Sequence, residues 1–595
     1  MAYVAARTLL GLGLFMLNVD CGGLIGAAPS DAGGDGPTID SGISSAEVGV
    51  PPPRDPTKAI TKVDLLLVVD NSSSMADKQS ELARQVPAII ATLTGPFAKS
   101  PPLITDLHVG VITTSLGSFG TDACDESQPG NEYNDRAHLL PRNPTEASGS
   151  GFVVGPDGAT TAAACPTLLT SSAITWAFGS PFAAQATETA TSCVVQSAHE
   201  DGCGYEATWE SLYHFLIDPK PYLTATTTCS KAPGGVTCDT DIQATGVDTA
   251  LLDERAAFLR PDSVLAVVIL SDENDASLAP AGANWVFWGL PGGTSSHDSS
   301  MPRGWSTCAN LPDDLEPANS RDLAARGCNW CYNNSNDPQC TVSWESVGST
   351  DWDQRNLRAF EQSRRFGING LYPRQRYVDA FTRIQVPGSD GILGTNGIYA
   401  GGQRSADMVV LTAIVGTPEA LVANPTSHQP KVLGNTDWDM LVSPNHAVRD
   451  PHMIESITPR AGIATFRPST TPDLQAIPID FADPVNGGDR DIAQFYDLQY
   501  ACIGIRSTTI PDSRYSDCAP SEDTDRTSPL CGSGGSTQPR FKAYPGLRHL
   551  RILHEISLMG IGVTTIAGSI CAPTYGPLAT AIGEGIAHAA APPTR

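Results

Sequence analysis

Short, almost wholly apolar runs recur along the chain, and apolar residues recur at helical spacing between them. Val63 to Val69 carries one polar side chain, Asp64, and Leu107 to Thr114, Ser263 to Leu270, Met408 to Val415 and Ile561 to Ile570 read alike. Runs of this kind are strands covered on both faces, which places them inside a mainly parallel sheet. Ala76 to Leu93 predicts a helix with Leu82, Val86, Ile89, Ile90 and Leu93 on its buried face, and Ser74 with Asp77 predicts its capping box. Further helices are predicted over Gly204–Leu216, Leu251–Leu259, Leu357–Phe366, Tyr377–Ile384 and Leu578–Ala590. The alternation predicts one α/β domain over 61–592, built on a doubly wound, mostly parallel sheet. Three stretches break it, at about 117–201, 279–351 and 423–547. They are irregular and contain cysteines, and they read as long disulfide-bearing insertions.

Three of the apolar runs end in hard oxygen ligands. Val69 is followed by Asp70-Asn71-Ser72-Ser73-Ser74, and Leu270 by Ser271-Asp272-Glu273-Asn274-Asp275. The second run, Leu107–Thr114, closes on Thr113, Thr114 and Ser115. Open α/β sheets bind ligands at the carboxyl ends of their strands. Two buried strands, each with an aspartate just past that end, are the main chemical signal in the chain.

Composition narrows the function classes. The formal charge of −27 argues against a nucleic-acid partner. Arg7 and the apolar stretch Thr8–Leu17, which is too short to span a bilayer, resemble an export signal over 1–21. Cys21 follows at once, as in a bacterial lipoprotein signal whose cysteine becomes the lipid-bearing residue. Asp20 departs from that pattern, and an ordinary cleaved signal or an uncleaved anchor are the alternatives. Residues 22–60, rich in Gly, Ala, Pro, Ser and Asp, read as a flexible linker. The 15 cysteines fit an exported chain, and the loop-rich setting of Cys328-Asn329-Trp330-Cys331 favours disulfides over a redox or zinc motif.

Asp70-Asn71-Ser72-Ser73-Ser74 resembles the Asp-x-Ser-x-Ser motif of von Willebrand factor A (vWA) domains. It stands, as there, between an apolar first strand and an amphipathic helix, and Asp272 matches the family's later metal-loop aspartate. Ser271–Asp275, Arg364–Ile368 and Asp497–Cys502 are similar to phrases of large exported bacterial proteins of this type, some of them lipoproteins. The resemblance implies a Rossmann-like sheet and a metal-ion-dependent adhesion site. Ser72 and Ser74 would coordinate Mg²⁺ (or Mn²⁺ or Ca²⁺) directly, while Asp70 and Asp272 balance charge and hold waters. The open position would take a carboxylate from a protein ligand. The family's middle-loop threonine is missing from His199–Gly204, and Asp201, Glu206 or Thr114 could replace it. The expected function is therefore binding or adhesion at a bacterial cell envelope and not catalysis. A structural scaffold with a decayed metal site and a metal-dependent hydrolase are the rivals.

Asp and Ser are also ordinary turn and capping residues, so the motif alone would be weak. Its context, and the match at Asp272, give it weight. The tryptophans at 285, 288, 305, 330, 344 and 352 could bind carbohydrate or protein if exposed, and otherwise pack beside disulfides. Ser521–Asp525 lacks the spacing of a calcium-binding loop.

Overall fold

The computed structural model describes residues 49–592 except 56, 95–103, 120–123, 125–132, 141–173, 179–183, 227–228, 233–234, 239–242, 281–303, 313–322, 324, 330, 332–335, 341–356, 358, 467–481, 491–496, 507–516, 519–527 and 532–536. Its central sheet contains β1 (Lys62–Val69), β2 (Asp106–Thr113), β3 (Ile174–Ala177), β4 (Val264–Leu270), β5 (Val409–Val415) and β6 (Thr564–Ser569). The order across the sheet is β6-β5-β4-β1-β2-β3. All neighbours run parallel except the edge strand β3, which is antiparallel to β2. The expectation of a doubly wound, mostly parallel sheet therefore holds. The winding reverses between β1 and β4, and such switch points open a crevice at the strands' carboxyl ends.

Helices cover both faces, which is why the inner strands β1, β4 and β5 are almost wholly apolar and buried. On one face Val63, Leu65, Leu67 and Val69 pack with α1 (Ala76–Thr94), α2 (Ala184–Gln196) and α8 (Gly576–Ala590). On the other, Leu66 and Val68 meet α3 (Thr208–Leu212), α4 (Thr249–Phe258), α5 (Arg374–Thr382), α6 (Asn435–Val442) and α7 (Leu547–Leu558).

The differences from the predicted elements have local causes. The stretch 117–201 contributes β3 and α2 to the core and is not wholly an insertion. β3 is only four residues long, and α2 is rich in Ala and Thr, so neither carries a strong apolar period. Leu547–Leu558 is strongly amphipathic but lies at the end of a stretch read as irregular. The helix predicted from Gly204 starts at Thr208 and continues as a π-helical turn, Tyr213–Ile217. Residues before Thr208 are held in a loop: Gly202 N donates to Asn71 O at 2.7 Å, and Ala207 N to Thr114 O at 2.9 Å. The helix predicted over Leu357–Phe366 shrinks to Gln362–Phe366, since Glu361 has φ of 45°.

Disulfides join Cys124 to Cys203, Cys308 to Cys328, Cys331 to Cys340, Cys502 to Cys571 and Cys518 to Cys531. Cys328 and Cys331 thus take different partners and form no Cys-x-x-Cys redox pair. These bridges point to an oxidising, extracellular-type environment. Among the described residues no helix is long and apolar enough to cross a membrane. Cys21, the signal stretch, Ser521–Asp525 and Trp285, Trp288, Trp330, Trp344 and Trp352 lie outside the described residues. The end of the linker is fastened to the domain: Ile60 N donates to Ala590 O at 2.9 Å.

Gly416, just past β5, has no room for a side chain. A Cβ there would lie 1.8 Å from Tyr544 O. Gly416→Ala should therefore lower stability by about 1–3 kcal/mol or more, read by chemical denaturation. It should also disturb Asp272, whose carbonyl accepts from Tyr544 N at 2.8 Å.

Candidate functional site

Strand register brings the site together. Val69 pairs with Leu270 on one side and with Thr113 on the other, so Asp70, Ser271 and Thr114 leave the sheet side by side. Asp70 N donates to Leu270 O at 2.9 Å, which ties β1 to β4 at the switch point. The Asp70 carboxylate accepts from Ser72 N at 2.8 Å and from Ser271 Oγ at 2.7 Å. Gln79 of α1 donates to Asp70 O at 2.8 Å and to His199 O at 2.6 Å, fixing the middle loop against the first.

Ser72 and Ser74 turn inward, while Ser73 is exposed. Ser74 does not form the predicted capping box. Its Oγ donates to Asp272 Oδ2 at 3.0 Å, so the hydroxyl crosses to the β4 loop. Ser74 has φ of 91°, which is strained for a residue with a Cβ. Strain of this kind persists where surrounding contacts over-determine the backbone, and it clusters at functional sites. Asp70, Ser72, Ser74 and Asp272 are therefore gathered at one place by β1 and β4.

Asp201 is half-buried in the loop whose Gly202 N donates to Asn71 O. Glu206 and Glu200 are the buried acids of this region, and Glu206 is the more deeply buried. It is 2% exposed, and its carbonyl accepts from Ala276 N at 2.8 Å, beyond β4. Burial, followed by Glu273, Asp70 and Asp272, pushes the Glu206 carboxyl well above the ordinary range. Burial and then the Asp272 charge push Asp70 up to about 6, against the lowering effect of Ser271 and Ser72. Glu273 is raised by burial and by Asp272 and Asp70.

Lys78 answers this negative charge directly. Its Nζ lies 2.9 Å from Asp272 Oδ2 and 3.3 Å from Asp77 Oδ1, and donates to Ser74 O at 2.7 Å. Burial opposes its charge, but Asp272 and Asp77 outweigh this and raise its pKa. Sequence patterns do not single out Lys78. Its one signal there is its place four residues after Ser74, one helical turn on.

Several buried oxygens of the cluster make no hydrogen bond among the described residues: Ser72 Oγ, Asp272 Oδ1, Glu206 Oε1 and Thr114 Oγ1. Ser72 Oγ is near enough to Asp70 to lower its pKa slightly, without hydrogen-bond geometry. A buried unpaired polar atom costs about 1–3 kcal/mol, so a group of them calls for a partner. Hydroxyl and carboxylate oxygens beside excess negative charge suit a hard divalent cation. Among the described residues, no three His, Cys, Asp or Glu side chains form a ready metal cage. A cation here would thus depend on the hydroxyls of Ser72, Ser74 and Thr114 as well as on carboxylates. Comparison of the chain with family models, curated proteins and solved structures finds no match.

Proposed function

We propose that this chain is a vWA-type binding protein of a bacterial cell envelope, exported and anchored through lipidated Cys21. It holds a protein ligand's carboxylate through Mg²⁺ or a similar divalent ion. The observation that carries this reading is the set of unpartnered buried oxygens, Ser72 Oγ, Asp272 Oδ1, Glu206 Oε1 and Thr114 Oγ1, at the β1/β4 switch point. The strand order and the antiparallel edge β3 support the fold assignment. Ser72, Ser74 and Thr114 would supply neutral oxygens, and Asp70, Asp272 and Glu206 the charge. Glu206 or Thr114, each with an unpartnered buried oxygen, then stands in for the missing threonine. The bound ion would supply a Lewis-acidic position for the ligand's carboxylate, and the loops around the site would shape the surface that meets the rest of the ligand.

A second reading has one observation behind it. Lys78 already pairs with Asp272, so the ammonium could serve as a permanent counter-ion in a metal-free scaffold. Thermal unfolding separates the two. Millimolar Mn²⁺ or Mg²⁺ should raise Tm by several degrees, corresponding to about 2.7 kcal/mol at a hundredfold excess over Kd. Asp70→Ala should abolish the response. A Tm indifferent to metal in both proteins would favour the scaffold.

A further inference from the structure

We infer that Lys78 is a resident counter-ion which a divalent cation must displace, so that this one side chain sets the affinity and charge selectivity of the site. The inference rests on the metal reading above and adds to it the residue that tunes binding. Its ammonium stands where part of an incoming ion's charge would go. It is 2.9 Å from Asp272 Oδ2, the oxygen that also accepts from Ser74 Oγ, and it is bonded to the Ser74 carbonyl at 2.7 Å. The other carboxylate oxygen, Oδ1, has no partner among the described residues. Lys78 therefore satisfies only half of Asp272 and none of the unpartnered oxygens on Ser72, Glu206 and Thr114.

The chain also provides somewhere for the displaced ammonium to go. Lys78 lines a cleft of about 700 Å³, whose walls include Asp77, Glu81, Ile505, Arg506 and Phe541. The Phe541 ring lies 4.6 Å from Nζ, and Asp77 is already 3.3 Å away. Rotation about the lysine stem would turn the ammonium away from Asp272 toward this cleft. Lysine suits this role because its charge sits on a flexible four-carbon stem.

Selectivity follows from charge. Exchanging the ammonium for Na⁺ or K⁺ leaves the charge of the cluster unchanged, and only a divalent ion adds to it. The closed, lysine-paired state lowers apparent affinity by the fraction of molecules in which Asp272 is free.

The test is Mn²⁺ binding by calorimetry to the wild-type domain and to Lys78→Met, with Lys78→Gln as a second variant should the first fold poorly. Removal of the ammonium should tighten Mn²⁺ binding about tenfold or more. It should also lower the metal-free Tm and enlarge the Mn²⁺-induced rise in Tm, since Asp272 is then uncompensated until metal arrives. An unchanged Kd, with Tm lowered equally with and without Mn²⁺, would make Lys78 a structural ion pair and overturn the inference. Weaker Mn²⁺ binding in both variants would overturn it too, by making the lysine an aid to the metal. If neither the wild type nor the variants bind Mn²⁺, the metal reading itself falls, and this inference with it.

Discussion

Asp64→Ala should destabilise the domain by about 3–5 kcal/mol, the cost of leaving a buried charge without its partner. Asp64 is the single polar residue in the apolar run of β1 and is fully buried. Its carboxylate accepts from Arg260 N and Arg260 Nε, each at 2.8 Å, and from the Ser263 hydroxyl. Arg404 Nη2 lies 3.5 Å from Asp64 Oδ2, and Arg404 is 1% exposed. Burial holds the Arg404 guanidinium down at about 10, and the Asp64 charge opposes that fall. Removal of Asp64 takes the nearest counter-charge from this guanidinium and leaves it its carbonyl partners, Ser263 O, Ile398 O and Arg260 O. Urea denaturation measures the loss. Replacing Arg404 as well, as in Asp64→Leu with Arg404→Met, should recover part of it, while Arg260, the closer partner, still lacks its carboxylate. A loss below about 1 kcal/mol in Asp64→Ala would show that Arg404 is satisfied by its carbonyl partners alone.

Asp70→Asn should behave in the opposite sense in metal-free buffer. The folded-state pKa of Asp70, about 6, lies above its ordinary value of 3.8. The folded state therefore holds this proton more tightly than the unfolded chain. Stability from this group is present at about pH 4 and is lost as pH rises through 6. The loss approaches about 3 kcal/mol, since each tenfold difference in proton affinity between the two states is worth about 1.36 kcal/mol. Asparagine carries no charge, and its amide oxygen can still accept from Ser72 N, while its amide group can donate to Ser271 Oγ. In EDTA the variant should thus exceed the wild type at pH 8 by up to about 3 kcal/mol and match it near pH 4. On the proposed metal reading, excess Mn²⁺ at pH 8 should reverse the order, because the charge that is costly by itself would then pair with the ion. Parallel pH profiles for the two proteins, measured by urea denaturation, would show that burial of Asp70 carries no such cost.

These two carboxylates show how far a one-dimensional pattern reaches. Asp70 is legible because its meaning is local: an apolar strand, a carboxylate and hydroxyls, then a helix. Asp272 repeats the strand-and-acid arrangement. Asp64, on the same strand as Asp70, looks like a lone interruption, because its partners Arg260 and Arg404 lie far along the chain. Lys78 looks like one more polar residue of an amphipathic helix until the register of β1 against β4 sets Asp272 beside it.

The sequence by itself determined five of the six central strands, helices α1, α3, α4, α5 and α8, the parallel character of the sheet and the place of the oxygen cluster at its carboxyl edge. Those follow from periodicity and from chain chemistry over a few residues. Tertiary structure alone decided the strand order, the core roles of β3 and α2, the disulfide partners and the crossing of the Ser74 hydroxyl to Asp272. It also decided that Glu206 is buried beside the two aspartates and that Lys78 faces the cluster. Each of these depends on which distant segments become neighbours, and that is set by packing over the whole sheet.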